Sequence, residues 1–224
     1  MSPADQHHST PPPRWLGVGV AYDAAVEPFL VSVPEAVDFV ALHLPWLALA
    51  DARRRGAPRQ RLRVGEIAAW WPVVGHGLFG AALPEELRAL VSELRMDWVS
   101  GRGPLPELGV AALEDGPRWA GEGPRRLNLP LLLDLAGRRG REALALLDEL
   151  DLAEVHELHL GAALPHGHEP FSPEQRRLLE AAAPRCPQLQ AVTVSFPTAW
   201  LGRAGALAVE GELAAVRERV GRRG

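Results

Sequence analysis

Val155-His156-Glu157-Leu158-His159-Leu160-Gly161, running on through Ala162-Ala163-Leu164-Pro165-His166-Gly167-His168, holds four of the eight histidines of the chain. Its first half reads as a short apolar strand in which Val155, Glu157 and His159 alternate with His156, Leu158 and Leu160. Side chains two apart on a strand share a face, so Glu157 and His159 are expected to point the same way. A carboxylate and an imidazole on one face, followed by two imidazoles in a loop, is a donor set from which metal sites are assembled. The same residues also suit a buried strand with one hydrogen-bonded histidine and a Pro-rich surface loop.

Working outward, similar short apolar runs recur: Trp15 to Val20, Val37 to His43, Trp71 to Gly77, Met96 to Ser100, Leu127 to Leu135 and Leu189 to Phe196. Helical patterns separate them. Asp23 to Val33 ends before Pro34, Leu47 to Arg55 ends in an arginine triplet, and Pro84 to Leu94 has proline in its first turn. Arg141 to Leu150, Ser172 to Ala183 (with Ser172 as N-cap) and Ala206 to Val220 complete the set. Gly101 to Gly123 is Gly/Pro-rich and shows no strong period. Strands alternating with helices imply βα units and a parallel sheet. A polar residue closes several of the strands: His43, His76, Asp134, His159. In a barrel those ends converge on one face, which favours a TIM-like (β/α) barrel over an open sheet. Gly17-Val18-Gly19-Val20 lacks the third glycine and the acidic partner of a dinucleotide fingerprint.

At 224 residues the chain is long enough for one sizeable core, and 47% hydrophobic with 23% charged residues is ordinary for a globular protein. All 24 basic residues are arginine, so lysine-dependent chemistry (Schiff bases, P-loops, lysine bases) is excluded. A net charge of -4 argues against nucleic acid as the main partner. The single cysteine, Cys186, forbids an intramolecular disulfide and reads as a lone thiol beside Arg185. Met1 to Pro13 is polar with three consecutive prolines; it reads as a disordered arm without a signal-peptide core, followed by one domain from Arg14 to Gly224. With no apolar run of membrane-spanning length, a cytoplasmic location is expected. Trp70 and Trp71 are candidates for an exposed patch facing a partner. Ser100 and Ser195 are candidate nucleophiles of a Ser/His/Asp hydrolase, but neither sits in a G-x-S-x-G elbow.

The phrases Trp15-Leu-Gly-Val-Gly-Val, Val37-Asp-Phe-Val-Ala-Leu-His and Pro72-Val-Val-Gly-His-Gly-Leu are similar to the opening of the multinuclear non-haem iron-dependent oxidases, the family of the methanobactin-maturation oxidase. Asp97-Trp-Val-Ser, Leu131-Leu-Leu-Asp, Val155-His-Glu-Leu-His-Leu-Gly and His168-Glu-Pro-Phe-Ser-Pro-Glu follow in the family's order. The resemblance covers most of Trp15 to Phe196. It implies a TIM-like barrel holding two or three iron ions that oxidises cysteines of ribosomally made peptides with dioxygen, aided by a partner protein that recruits the peptide. By position, His76, Asp134, His159 and His168 match ligands of that family. His43 matches a recurrent histidine, and Glu157 matches a residue beside a ligand histidine, which it would support.

The departures from the family pattern bear on this reading. Ser100-Gly101-Arg102 stands where the family has Ser-Glu-His, so Arg102 would place a fixed cation in the mouth. The Glu-Asn-Pro strand has no counterpart, Gly103 to Arg126 is shortened, and Leu189 to Phe196 carries no carboxylate. Two divalent ions ~4 Å apart repel by about 1 kcal/mol per unit-charge product even at the dielectric constant of water, and by more inside a protein. With three anionic ligands gone, one iron ion is expected rather than a cluster. Two histidines and a carboxylate would suffice for a single ion. Two functions stay open: a divergent peptide-modifying oxidase with one metal, or a metal-free pseudoenzyme serving as partner or scaffold in peptide maturation. The shortened middle also raises a reduced or partly open barrel, whose free edge would invite a homodimer.

Overall fold

A computed structural model describes residues 15–44, 57–77, 85–100, 110–115, 131–136, 144–145, 147–148, 150–161 and 171–221. The strands are β1 (Gly17–Ala21), β2 (Val40–His43), β3 (Val73–His76), β4 (Trp98–Ser100), β5 (Val110–Asp115), β6 (Leu131–Asp134), β7 (Val155–Gly161) and β8 (Ala191–Ser195). The helices used below are α1 (Glu27–Ser32), α2 (Ala57–Trp70), α3 (Glu85–Glu93), α4 (Pro173–Ala182), α5 (Thr198–Leu201) and α6 (Ala206–Val220). The strands form a ring in sequence order, and β8 pairs back onto β1 with Gly17 opposite Ala191. The expected α/β, TIM-like barrel is therefore what the chain forms.

The reduction suggested by the shortened middle takes the form of an inverted strand. β5 runs antiparallel to both β4 and β6, with Ser100 opposite Leu113 and Val110 opposite Leu133. Nine residues separate β4 from β5. A parallel return needs a crossover of roughly a dozen residues or more, so the chain doubles back instead. Because β6 reverses again, the other seven strands stay parallel. Among the described residues each strand is paired on both sides.

Alternation along the strands sorts side chains into two cores. Val18, Val20, Val40, Leu42, Leu133, Leu158, Leu160, Val192 and Val194 join buried helix residues such as Leu178, Leu179, Leu213 and Val216 outside the ring. Leu16, Phe39, Ala41, Val74, Trp98, Leu132 and Ala191 form a second buried cluster, the floor of the barrel interior. Gly19 belongs to that floor. A Cβ there would lie 2.4 Å from the Phe39 carbonyl oxygen and 2.7 Å from its ring, so the glycine makes room for Phe39. One strand breaks strict alternation. Leu131 pairs with Val155 but Leu132 pairs with Glu157, a bulge that takes up His156. Val155 consequently packs outside with Leu158 and Leu160, while Glu157 and His159 remain inward.

Most expected elements occur where the patterns put them. Ser172 caps α4 by accepting from the Gln175 N–H, Pro173 is its first residue, and α6 buries Val209, Leu213, Val216 and Val220 at helical spacing. Arg217 of α6 reaches back to the β1–β2 end, donating to the Ala36 carbonyl at 2.6 Å and to Asp38, which accepts from the Val18 N–H. Three of these elements were not expected: α2, β5 and the single turn α5. Leu47 to Arg55, and half of Arg141 to Leu150, lie outside the described residues, as does the N-terminal arm. Among the described residues no helix is long and apolar enough to cross a membrane.

Candidate functional site at the mouth of the barrel

The polar strand ends meet where the C-terminal ends of the parallel strands open. His43 is opposite His76 on neighbouring strands, Asp134 is opposite His159, and His159 is opposite Thr193. Two hydrogen-bonded groups result, one below the other along β7.

The inner group centres on Glu157, whose side chain is fully buried. His76 Nε2 donates to its Oε1 at 2.7 Å, Thr193 Oγ1 donates to the same oxygen at 2.6 Å, and Trp98 Nε1 donates to Oε2 at 2.6 Å. Burial works to raise the proton affinity of this carboxyl, but the His76 imidazole and the three donors outweigh it and hold the carboxyl below its ordinary 4.5. Glu157 is thus a buried anion wrapped in donors, one of them Trp98 of the apolar floor.

The outer group is a line across three strands. Asp134 Oδ1 lies 3.1 Å from His159 Nδ1, and His159 Nε2 lies 2.6 Å from Ser195 Oγ. Burial would lower the His159 value, yet Asp134 and, less strongly, Glu157 lift it above the ordinary 6.5. The Asp134 carboxyl, which also accepts from the Ala136 N–H at 3.0 Å, is held below 3.8 by its imidazole neighbours against the opposing effect of burial. Gln175 of α4 ties the strand ends together. Its Oε1 accepts from the Gly161 N–H and its Nε2 donates to the Leu135 carbonyl, both at 2.8 Å. That buried amide keeps β6 and β7 level, and so keeps Asp134 beside His159.

His76 and His159 approach with ring centroids 5.4 Å apart. His43 stands near both at the exposed rim; partial desolvation, with their charges, lowers its value below 6.5. Of the residues singled out in the sequence, His43, His76, Asp134, Glu157 and His159 come together, and Glu157 hydrogen-bonds to His76 of another strand rather than to the histidine beside it in sequence. His168 and Arg102 lie outside the described residues. His156 is drawn off into the bulge, where its Nδ1 accepts from Gln190 Nε2 at 2.7 Å. Thr193 and the role of Trp98 were missed. The alternation in Ala191-Val192-Thr193-Val194-Ser195, small or hydroxylic residues between valines, was the signal for a polar inner face.

The described residues do not make a metal cage. No three of their His, Cys, Asp and Glu side chains are placed to hold one ion. Both nitrogens of His159 and Nε2 of His76 already face protein partners. Elsewhere, Cys186 is buried with its thiol against the Ala182 carbonyl. Trp70 is exposed as expected, whereas Trp71 is partly buried and donates to the Pro34 carbonyl. Comparisons with protein-family models, curated proteins and solved structures find no match to this chain.

Proposed function

We propose that the protein is a metal-independent relative of the peptide-modifying iron oxidases, a barrel retained as a partner protein in the maturation of a ribosomally made peptide. One observation carries this reading: the side chains at the described ligand positions, His76, Asp134 and His159, are already hydrogen-bonded within the protein. Glu157 has three donors and His159 has a partner at each nitrogen. Recruiting an ion would break hydrogen bonds that are already made, and each buried group so orphaned costs about 1–3 kcal/mol. The three missing carboxylates act in the same direction. The ordered run of family-like phrases and the convergence of His76, Asp134 and His159 support the kinship. Exposed Trp70 and Val31 border an apolar depression with Leu30, Pro34 and Ile67, a surface suited to a protein partner.

One distance favours the single-metal reading instead. The 3.1 Å between Asp134 Oδ1 and His159 Nδ1 is close to the ~3.0 Å that separates adjacent ligands of an octahedral ion with ~2.1 Å bonds. Metal analysis decides between the two. Protein purified anaerobically with Fe(II) and desalted should carry iron well below one atom per chain, and chelator should leave its melting temperature unchanged. Stoichiometric iron that disappears in His159→Ala would establish the one-ion site. An ion held at ~100 times its dissociation constant adds about 2.7 kcal/mol, which at this chain length is a shift of roughly 5–10 °C.

A further inference from the structure

The geometry points to a metal-independent acyl-transfer site at the mouth, with Ser195 Oγ as nucleophile, His159 as its base and Asp134 as the residue that orients the base, acting on carboxylic esters or thioesters of small acyl groups. This goes beyond the role of a partner protein and rests only on that role's independence of metal.

The order and polarity of the three side chains carry it. A carboxylate only accepts, so the Asp134 contact fixes the proton of a neutral His159 on Nδ1 and leaves Nε2 as the acceptor for a hydroxyl. Ser195 Oγ is at that nitrogen, 2.6 Å away. A nucleophile beside a base that is itself oriented by a third group is the arrangement nucleophilic catalysis needs, whatever the fold or the order along the chain. The three residues sit toward the ends of β6, β7 and β8, and Gln175 ties the first two of these strands together. Gly161 lets the end of β8 come close, since a Cβ there would lie 2.2 Å from the Ser195 carbonyl oxygen. Ser195 is only 1% exposed, whereas the side chains of His159 and Asp134 are 17% and 35% exposed, so bulky acyl groups are excluded.

In the step proposed, Ser195 Oγ bonds to the carbonyl carbon while its proton passes to His159 Nε2. The bond from that carbon to the alcohol oxygen or thiol sulfur then breaks, and the leaving group takes the proton from His159. Water next attacks the acyl-serine, its proton passing through His159 to Ser195 Oγ as the free acid departs. No oxidant, reductant or ion enters the balance.

The test uses the full chain, treated with chelator, a small fluorophosphonate and p-nitrophenyl acetate. One phosphonyl group per chain, mapped to Ser195, is expected together with ester turnover. Labelling and turnover should vanish in Ser195→Ala, and turnover should fall on the order of 10³–10⁴-fold in Asp134→Asn, as loss of the orienting carboxylate does in serine hydrolases. A cooperatively melting wild type that takes no label, or labels elsewhere, overturns the inference. Should Ser195→Ala fail to melt cooperatively, an unchanged rate in folded Asp134→Asn overturns it equally. Iron-free protein without label contradicts this inference alone, whereas labelled protein with stoichiometric iron contradicts the metal-free reading alone.

Discussion

Replacing Glu157 with alanine is expected to lower the melting temperature by roughly 6–20 °C, the counterpart of about 3–5 kcal/mol for breaking a buried charged network in a chain of this length. The loss comes from what is left behind. The Trp98 indole N–H, the Thr193 hydroxyl and the His76 imidazole would all face a void beside the apolar floor formed by Phe39, Val74 and Leu132. Glu157→Gln keeps the shape and one acceptor, so it should lose less. The sign of the pH effect follows from the lowered carboxyl value. The stability contributed by Glu157 is fully present above its unfolded value of 4.5 and is lost as pH falls through the lower folded value. The gap between wild type and Glu157→Ala should therefore narrow in acid. Thermal melts at neutral and acid pH measure both effects, and an alanine variant within a degree of wild type at neutral pH would contradict the network.

Gly161→Ala is expected to be of comparable severity for a different reason. Gly161 has φ +102°, where residues with a side chain are strained, and its added Cβ would meet the Ser195 carbonyl oxygen at 2.2 Å. Backbone strain and overpacking together come to about 2–6 kcal/mol, or roughly 4–24 °C in melting temperature. Relief requires β8 to move away from β7, which separates Ser195 from His159. Gly211 of α6 provides the control: a Cβ there meets nothing within 4 Å, so Gly211→Ala should stabilise by about 0.5–1 kcal/mol. Opposite signs for the two substitutions would show that close approach at the mouth, rather than glycine removal in general, sets the loss.

The barrel was legible because its strands are short apolar runs punctuated by glycine and proline, and because polar residues fall at their ends. His43, His76, Asp134, Glu157 and His159 were readable for the same reason. Strand alternation assigns a face, and the common direction of parallel strands assigns an end. β5 was not legible. Val110 to Asp115 has no alternation of its own, and its pairing depends on the short link to β4, a tertiary constraint. α2 escaped because its buried positions, Val64 and Ile67, are sparse among arginines and exposed residues. The bulge at His156 was equally hidden. Strict alternation put Val155 with Glu157, whereas the register slip moves it to the outer core. The relay through Ser195 needed coordinates, because only the β7–β8 register brings a serine 36 residues away onto His159.

All of this rests on His159 being paired with Asp134 inside the protein, with no ion between them. The direct measurement is the His159 imidazole titration by nuclear magnetic resonance in chelator-treated protein, beside Asp134→Asn. Burial alone would push the value below 6.5, and the Asp134 carboxylate pushes it above, so the sign reports the pair. The stability that His159 contributes should be fully present below 6.5 and be lost as pH rises through the elevated folded value. A His159 value above 6.5 that drops in Asp134→Asn is the predicted result. A value at or below 6.5, unchanged by that substitution, would contradict the account.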